Sequence, residues 1–319
     1  MSTVPGPLSD GTRAFPFDPP LVGDLGERRW HSIAYSCEAG YRPLFLDLRV
    51  PDSASEASPA PVVVWVHGGG WVHGSRRRQS PNLHTHRVLD RIVRDGFAVA
   101  VLDYRLAKEA AFPAPLMDVR ASVRWLRGNA VEFCLDPNRI ALWGESAGAH
   151  LVTMAALCDR LDPEPRSGEH PEQSEDVQAV VEWYGPADLA LFGTGAATAE
   201  SEERGPIDEH PIMTLMAGSG WTAAQLSPIS YARVGIPPVF IAHGTEDQQV
   251  PVEQSRMLYG ALLAAGADAE YLETIGDHVF VTHGEPILPH VTQRSLDFLN
   301  RHLNRPGASA AGEGLQAVP

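Results

Sequence analysis

The sequence predicts an α/β protein in which helices cover both faces of a mostly parallel sheet. From residue 62 onward, short apolar runs of strand length alternate with longer segments of helical periodicity, a pattern typical of parallel strands joined by helical crossovers. The run Val-Val-Val-Trp-Val at residues 62–66 is apolar at every position, as in a strand buried on both faces. Glycine-rich motifs follow several predicted strands, and such sheets bind ligands at the carboxyl ends of their strands.

Eight strands are predicted, and the first two form an antiparallel hairpin at one edge of the sheet. Residues 30–36 and 44–50 alternate apolar and polar side chains, as half-buried strands do. The turn-forming residues Glu-Ala-Gly at 38–40 lie between them. The other predicted strands are residues 62–66, 98–103, 139–143, 179–184, 238–242 and 270–274, and the predicted helices include residues 83–94, 116–128, 252–265 and 286–303.

The chain is predicted to form one large domain with short flanking segments. Residues 1–26 are rich in proline and glycine and predict an arm with little regular structure, and the folded domain is predicted over residues 27–304. The small-residue tail at 305–319 is predicted to be disordered. Residues 185–230 interrupt the alternation of strands and helices, and a segment of this length is too long for a simple connection.

Charge and composition argue against several functional classes. The 319 residues carry a formal net charge of −15, which disfavours nucleic acids and anionic membranes as partners. No apolar run reaches the roughly 18 residues of a membrane span, and residues 1–24 lack the basic and apolar regions of a signal peptide. The three cysteines are scattered, so we expect reduced thiols in a cytoplasmic protein and no zinc site.

The Gly-x-Ser-x-Gly pattern at residues 144–148 predicts a nucleophilic serine. An apolar run precedes the pattern and helix-forming residues follow it, which is the strand–turn–helix context in which this pattern carries chemistry. A turn this tight leaves no room for side chains two residues on either side of the serine, and glycine at both positions removes them. We expect Ser146 at the tip of the strand. The backbone N–H of Ala147 would lie at a helix N-terminus, where it favours negative charge.

A glycine-rich loop directly follows the first buried strand and predicts donors for an oxyanion. The loop reads His-Gly-Gly-Gly-Trp at residues 67–71. Ester hydrolysis passes through a tetrahedral oxyanion, and fixed backbone N–H groups stabilise that charge. We therefore predict an oxyanion hole formed by Gly69 and Gly70 together with Ala147, and Gly68 is a further candidate.

A carboxylate and a histidine follow the last two predicted strands. Asp247 ends the motif His-Gly-Thr-Glu-Asp, where it would orient a histidine and stabilise the imidazolium that forms when Ser146 is deprotonated. His278 lies on the loop after the next strand, and its Nε2 would take the serine proton and return it to the leaving alcohol. Glu246 competes with the aspartate for the role of the acid, and His283 competes with the histidine for the role of the base.

Together these motifs resemble those of the α/β-hydrolase superfamily. Within it they are most similar to the hormone-sensitive-lipase-like and feruloyl-esterase-like (BD-FAE-like) serine carboxylesterases. The resemblance extends over residues 28–303 and implies the α/β-hydrolase fold and its catalytic machinery, but it does not specify the substrate. The motifs that carry it are residues 67–71, 103–106, 144–148, 183–189 and 243–247, with His278.

The resemblance also implies a cap over the site, and it has one departure. Residues 185–230 are the main candidate for the cap, and the N-terminal arm at residues 1–26 is a second candidate. Members of the family usually have a small residue before the catalytic histidine and a glycine after it, whereas Asp277 and Val279 flank His278. The geometry of this loop, and with it the choice between His278 and His283, is therefore less constrained by the resemblance than the other motifs are.

Five further residues are assigned supporting or binding roles. His67 is expected to orient the glycine-rich loop through hydrogen bonds, and Tyr104 is expected to brace that loop. Glu145 precedes the nucleophile and is expected to accept hydrogen bonds behind it. Glu145 is also a candidate for substrate binding, as are Trp71 and Trp221. The alternative for the two tryptophans is packing in the core of the cap.

These observations predict a serine carboxylesterase that hydrolyses short-chain or small-molecule carboxylic esters through an acyl-enzyme on Ser146. Neither a metal nor an organic cofactor is needed for this chemistry, and the expected partner is a small-molecule ester. The same machinery could cleave an amide such as an aryl formamide, or transfer an acyl group to another alcohol. A ligand-binding receptor without catalysis is a remote alternative, because such receptors usually lack the base. The natural substrate, its chain length and the formation of a homodimer stay open.

Overall fold

The computed structural model describes residues 17–38, 40–159, 166, 168–192, 211–282 and 287–304. In this part of the chain, nine strands form one sheet in the order β1-β2-β3-β5-β4-β6-β7-β8-β9. The strands are β1 (Leu21–Val22), β2 (Arg28–Ser36), β3 (Leu44–Val50), β4 (Ala60–Val66), β5 (Ala98–Leu102), β6 (Leu135–Glu145), β7 (Ala179–Trp183), β8 (Val239–Gly244) and β9 (Ala269–Thr274).

The sheet is parallel except at one edge. Strands β1, β2 and β3 pair antiparallel, and β3 pairs antiparallel with β5. The strands from β5 to β9 all pair in parallel, with β4 between β5 and β6. The eight strands predicted from the sequence are all present, but the predicted count of eight is wrong. The ninth strand, β1, is only two residues long, and its residues Leu21 and Val22 are 61% and 80% exposed. The sequence therefore showed no alternation of apolar and polar residues that would predict a strand within the arm.

Helices cover both faces of this sheet. In the described part of the chain they are α1 (Pro81–Thr85), α2 (Val88–Arg94), α3 (Ala114–Gly128), α4 (Ala147–Leu157), α5 (Leu189–Phe192), α6 (Pro211–Met216), α7 (Glu253–Ala264) and α8 (Ile287–Leu303). Val64 of β4 packs in the apolar core that includes side chains of α3, α4 and α7, whereas its neighbours Val63 and Trp65 pack in the core that includes α2 and α8. This alternation confirms the predicted fold class. Among the described residues, no helix is long and apolar enough to span a membrane.

Three tryptophans hold the central strands together on the side of α2 and α8. Trp65, Trp143 and Trp183 belong to the neighbouring strands β4, β6 and β7, and their ring centroids lie 4.9 to 5.8 Å apart. Aromatic pairs in this range contribute about 0.5–1.5 kcal/mol beyond their buried area. These contacts tie together the neighbouring strands β4, β6 and β7.

The segment of residues 185–230, here called the insertion segment, contains α5, α6 and a 3-10 turn at Pro228–Tyr231. Its two described parts are joined by a hydrogen bond of 2.8 Å from the Leu189 N–H to the Ser227 hydroxyl. The Asp188 N–H donates to Gln254 of α7 at 2.7 Å, which ties the segment to the body of the domain. Residues 193–210 of the predicted cap lie outside the described part of the chain, as do residues 1–16 and the predicted tail at 305–319.

Glu182 of β7 carries a carboxyl group that is buried within the sheet, and the residue is 1% exposed. One of its oxygens accepts a hydrogen bond from the Gly185 N–H, and the other has no partner among the described residues. Burial raises the pKa of Glu182 from 4.5 to about 8, although the hydrogen bond from Gly185 acts in the opposite direction. The carboxyl group is therefore largely protonated at neutral pH in the folded protein, whereas it is ionised in the unfolded chain.

The raised pKa predicts that Glu182 lowers the stability of the protein as pH rises. Because the folded state holds the proton more tightly, the contribution of Glu182 is fully present below the unfolded pKa of 4.5 and is lost as pH rises towards the folded pKa of about 8. Glu182→Gln should therefore increase the free energy of unfolding at pH 8 relative to the wild type, by an amount on the order of 4 kcal/mol. Urea denaturation at several pH values measures this difference.

The matched control is Glu132→Gln, because Glu132 is exposed and should behave like the wild type at every pH. The diagnostic result is a gain for Glu182→Gln that grows between about pH 5 and pH 8. A gain that is constant across this range would show that Glu182 is not held in its protonated form.

Candidate active site

The candidate nucleophile sits at the turn between β6 and α4. Ser146 has φ 53° and ψ −122°, a backbone conformation that is strained for any residue with a side chain. Its N–H donates to the Trp183 carbonyl of β7 at 2.9 Å, and its carbonyl accepts from the His150 N–H at 3.1 Å. These bonds to a neighbouring strand and to α4 hold the turn in its strained form.

Two glycines allow the backbone to close around this serine. A Cβ placed on Gly144 would lie 2.4 Å from the carbonyl carbon of Gly148, and one on Gly148 would lie 2.2 Å from the carbonyl oxygen of Val66. Such contacts are too short for any side chain, and backbone atoms cannot move aside as a flexible side chain can. The glycines of the Gly-x-Ser-x-Gly pattern are thus required by packing on both sides of Ser146.

The structure brings the three predicted catalytic side chains together. His278 Nε2 lies 2.9 Å from Ser146 Oγ, and His278 Nδ1 lies 2.6 Å from Asp247 Oδ2. Asp247 follows β8 and His278 follows β9, so each reaches the site from the carboxyl end of a parallel strand. Because a carboxylate only accepts hydrogen bonds, Nδ1 carries the proton and Nε2 is free to accept the serine hydroxyl.

Asp247 is surrounded by hydrogen-bond donors. Its Oδ1 accepts from the N–H groups of Gln249 at 2.8 Å and Val250 at 2.9 Å. Its Oδ2 accepts from His278 and also from His243 Nε2 at 3.0 Å. Burial by itself would raise the pKa of Asp247, but the hydrogen bonds from the two histidines and the charge of His278 hold the pKa below its usual range. The carboxylate is therefore ionised under all ordinary conditions.

His243 is a residue of this site that the sequence reasoning missed. It is completely buried, and its Nδ1 lies 2.7 Å from the Ser255 hydroxyl. With Nε2 donating to Asp247, Nδ1 accepts from the serine, and both ring nitrogens are satisfied. A signal was present in the sequence: His243 directly follows the apolar run of β8, and a polar ring at a buried strand position requires a partner.

The two competing residues are placed differently. Glu246 is exposed, and among the described residues its side chain has no hydrogen bond to His278. His283 lies outside the described residues, so its position is not compared with that of His278.

Asp277 lies next to His278 and accepts hydrogen bonds from the loop that follows. The N–H groups of Val279 and Val281 donate to Asp277 Oδ1 at 2.9 and 2.8 Å. This carboxylate shapes the loop around His278, at a position where the resemblance led us to expect a small residue.

Tyr184 and Glu145 form the wall beside the histidine. The Tyr184 ring lies 4.7 Å from the His278 ring, measured between centroids, and its hydroxyl donates to Glu145 Oε2 at 3.1 Å. Burial raises the pKa of Glu145, while hydrogen bonds from Tyr184 and the Gly68 backbone act against this shift. Glu145 is thus placed as the predicted acceptor behind the nucleophile.

The glycine-rich loop is held by stacking and hydrogen bonds. The His67 ring stacks on Tyr104 at 4.4 Å between centroids, and the Tyr104 hydroxyl donates to the His67 carbonyl at 3.2 Å. Gly69 and Gly70 have φ of 116° and 58°, which favour glycine. Their N–H groups and that of Ala147 have no hydrogen-bond partner among the described residues.

Gly68 differs from its two neighbours in this loop. Its backbone N–H acts on the Glu145 carboxylate, where it opposes the rise that burial causes in the pKa of that group. A Cβ on Gly68 would lie 3.2 Å from Ser146 Cβ, which shows how closely the loop approaches the nucleophile. Gly69 and Gly70 thus remain the better placed donors.

The two tryptophans that were weaker candidates for substrate binding lie within the packed core. Trp71 is 2% exposed, and its indole N–H donates to His150 Nδ1 at 3.2 Å. Trp221 packs edge-on against Phe112 at 5.2 Å between centroids. Neither tryptophan is among the residues that line the cleft. The contacts of both tryptophans are those expected from the alternative role, structural packing, and not those of residues that contact a substrate.

A cleft of about 1230 Å³ opens in front of Ser146. Groups of three or more histidine, cysteine, aspartate or glutamate side chains that could hold a metal ion do not occur among the described residues. The cleft is bordered by the glycine-rich loop, the start of α1, α6 and the loops that carry Gln249 and His278. Its lining residues are Gly68, Gly69, Gly70, Val72, His73, Gly74, Arg78, Gln79, Ser80, Pro81, Lys108, Glu145, Ser146, Tyr184, Pro211, Thr214, Gln249, His278 and Val279.

The comparisons with known proteins place this architecture in a family. A family model named BD-FAE matches residues 46–262, more than half of the chain. The chain belongs to the BD-FAE family. This confirms the resemblance that the motifs indicated. The matched range includes Ser146 and Asp247 but ends before His278, so the position of the histidine rests on the geometry of the loop after β9.

Relatives of this BD-FAE chain include characterised and solved proteins. It is 34% identical to esterase LipC of Mycobacterium tuberculosis over 270 residues, covering 81% of this chain and 62% of LipC. It is also 34% identical to esterase LipQ of the same organism, covering 72% of this chain and 52% of LipQ. The chain thus spans less than two thirds of either relative. A truncated carbohydrate esterase from gut microbiota superposes with a TM-score of 0.74 at 24% identity, covering 90% of this chain and 100% of that one, which supports the α/β-hydrolase fold.

The packing of the serine turn predicts that Gly148→Ala destabilises the protein. Its new Cβ would lie 2.2 Å from the Val66 carbonyl oxygen, so either α4 or β4 must shift. We expect the free energy of unfolding to fall by about 3 kcal/mol, measured by urea denaturation followed by circular dichroism.

The matched control is Gly260→Ala in α7. No atom lies within 4 Å of a Cβ at Gly260, and alanine is the better helix former by ~1 kcal/mol. The control should therefore be slightly more stable than the wild type. If Gly148→Ala unfolds at the same urea concentration as the control, α4 does not pack against β4 as closely as described.

Proposed function

We propose that this protein is a serine carboxylesterase. The observation that carries the proposal is the chain of hydrogen bonds from Ser146 through His278 to Asp247, with distances of 2.9 and 2.6 Å. In this arrangement Ser146 is the nucleophile, His278 is the general base and then the general acid, and Asp247 orients the imidazole. This geometry and division of roles are those of serine triads on several unrelated folds.

The reaction proceeds through an acyl-enzyme. Ser146 Oγ attacks the ester carbonyl carbon while His278 Nε2 takes the hydroxyl proton, which gives a tetrahedral oxyanion. When this intermediate collapses, the bond to the alcohol breaks and the imidazolium returns the proton to the leaving oxygen. Water then attacks the acyl-enzyme with the same help from His278, releases the carboxylic acid and restores Ser146. Asp247 stabilises the imidazolium in both halves without taking a proton.

The oxyanion is held by backbone donors. We assign this role to the N–H groups of Gly69, Gly70 and Ala147, since they are unpaired among the described residues and lie on both sides of the serine turn. Ala147 is also the first residue of α4, where the helix dipole favours negative charge. Each fixed donor of this kind typically accounts for a factor of about 10²–10³ in rate.

The substrate class follows from relatives and from the cleft. LipC and LipQ are both described as esterases, and ester hydrolysis is extended to this chain as part of the proposal. Residues 185–230, which border the cleft through α6, contain few long apolar runs, which suits short-chain or small-molecule esters rather than long apolar acyl chains. We also assign the protein to the cytoplasm, which is supported by its three cysteines, all of which are free.

The role of Ser146 predicts that Ser146→Ala abolishes hydrolysis of p-nitrophenyl acetate and butyrate. Loss of the nucleophile removes the acyl-enzyme path, so turnover should fall by about 10⁴–10⁶-fold. Initial rates at saturating ester measure the loss. The matched control is Ser53→Ala, since Ser53 is exposed and distant from the site in sequence. Retention of more than a few per cent of activity by a folded Ser146→Ala protein would contradict the assignment.

The role of His278 predicts opposite results for two neighbouring histidines. His278→Ala should lose nearly all activity, by a factor similar to Ser146→Ala, because the members of a triad act as a unit. His283→Ala should keep most of its activity, since the bonds to Ser146 and Asp247 are made by His278. Rates on p-nitrophenyl acetate compare the two variants. A dead His283→Ala with an active His278→Ala would reverse the assignment.

A further inference from the structure

The cleft carries positive charge in an acidic protein. The whole chain has a formal net charge of −15, yet among the described residues that line the cleft, the lysine or arginine, aspartate and glutamate residues are Arg78, Lys108 and Glu145. Glu145 is 6% exposed, and its carboxylate already accepts a hydrogen bond from Tyr184. The two cations are exposed. A substrate that enters the cleft therefore meets positive charge in front of Ser146.

Arg78 has no acidic partner among the described residues, whereas the arginines next to it have one. Arg76 forms ion pairs with Asp47 and Asp103. Arg77 lies 3.9 Å from the carboxylate of Asp47 and donates to a serine hydroxyl. In the described part of the chain, the guanidinium of Arg78 has neither an ion pair nor a hydrogen bond to another side chain. Of three consecutive arginines, the one that borders the cleft is thus the one that has no acidic partner in the part of the chain that the structure describes.

Lys108 also has no acidic partner in the described ranges, although a carboxylate follows it directly in the chain. Glu109 pairs with Arg42 at 2.7 Å and accepts the Leu106 N–H at 2.8 Å. Lys108 forms no ion pair with any described residue. The turn that carries it is attached to the glycine-rich loop, because the Ala107 N–H donates to the Trp71 carbonyl at 2.8 Å.

Arg78 is connected to the same glycine-rich loop through the residues that follow this loop in the chain. It pairs through a backbone bridge with Ser75, and the Arg78 N–H donates to the Ser75 carbonyl at 3.0 Å. Gly74, just before this bridge, packs so closely that an added Cβ would lie 2.3 Å from His67 Nδ1. The backbones of both residues are thus attached to the loop that supplies Gly69 and Gly70, and both side chains line the cleft that contains Ser146.

We propose that Arg78 and Lys108 bind an anionic group on the ester substrate, so that the site selects esters whose acyl or alcohol part carries a negative charge such as a carboxylate. This inference rests on the proposed esterase function and defines its substrate class. Arginine offers a planar pair of donors that matches a carboxylate, and lysine offers a mobile ammonium group. Because both cations are exposed, each should change selectivity by about 2- to 5-fold, and salt should weaken the effect.

The test compares two esters of equal size that differ in charge. The first is 4-nitrophenyl hemiadipate, with a terminal carboxylate, and the second has a terminal carboxamide in its place. A second pair, 4-acetoxybenzoate and 4-acetoxybenzamide, places the charge on the alcohol side. The ratio of kcat/KM between the charged and the neutral ester is measured for each pair, with Ser146→Ala as the blank for spontaneous hydrolysis.

The variants are Arg78→Gln, Lys108→Gln and the matched control Arg77→Gln. The wild type should prefer the charged member of at least one pair, and Arg78→Gln and Lys108→Gln should each lower that ratio by about 2- to 5-fold. Arg77→Gln removes the same charge one residue away from the cleft lining and should keep the wild-type ratio. Raising salt from about 20 mM to about 500 mM should lower the wild-type ratio.

Three results would overturn the proposal. The first is a wild type that cleaves the neutral member of both pairs at least as well as the charged member. The second is a ratio that falls equally in Arg77→Gln and Arg78→Gln, because the effect would then come from net charge alone. In both cases ester hydrolysis itself stands. The third is a wild type that cleaves none of the four esters, which overturns the proposed function and the charge selection with it.

Discussion

The site depends on the close approach of α4 to the end of β4. Gly148 of the helix packs so tightly against the strand that a Cβ would meet the Val66 carbonyl oxygen at 2.2 Å. The chain of β4 continues directly into the glycine-rich loop, and the chain of α4 begins directly after Ser146. One contact between two backbones therefore sets the distance between the nucleophile and the donors of Gly69 and Gly70. Because backbone atoms in packed strands and helices cannot change rotamer, this distance does not vary as a contact between side chains would.

A second constraint is the burial of Asp247 among four donors. An ionised carboxylate away from water is costly unless its oxygens are hydrogen-bonded. Backbone N–H groups satisfy Oδ1, while His243 and His278 share Oδ2. His243 is itself fixed by Ser255, so Oδ2 is held in place independently of His278. In the proposed mechanism, His278 can then gain and lose its Nε2 proton while the carboxylate that orients it keeps its position and its charge.

The sequence predicted best those contacts that the topology of a parallel sheet determines. Side chains that follow parallel strands gather at one edge of the sheet, so the motifs after β4, β6, β8 and β9 predicted which residues meet. The fold class is confirmed on the same basis, and only the two-residue strand β1 was missed, since its exposed side chains left no periodic pattern. Contacts decided by packing were harder to predict. The hydrogen bond between His243 and Ser255 and the burial of Trp71 depend on how the helices pack against the sheet. The local sequence does not determine this packing.

Trp71 is an example of a packed side chain that helps to link separate parts of the structure. Its indole N–H donates to Nδ1 of His150 in α4, and Nε2 of His150 lies 2.7 Å from the Leu226 carbonyl in the insertion segment. Burial lowers the pKa of His150 to about 4, so the ring is neutral at physiological pH, accepting at Nδ1 and donating at Nε2. A protonated ring could not accept the indole N–H. The neutral histidine therefore joins three separate elements, the glycine-rich loop, the helix after Ser146 and the insertion segment, through one side chain. Trp71, which the sequence suggested as a substrate contact, thus helps to tie the insertion segment to the loop that contains the proposed oxyanion donors.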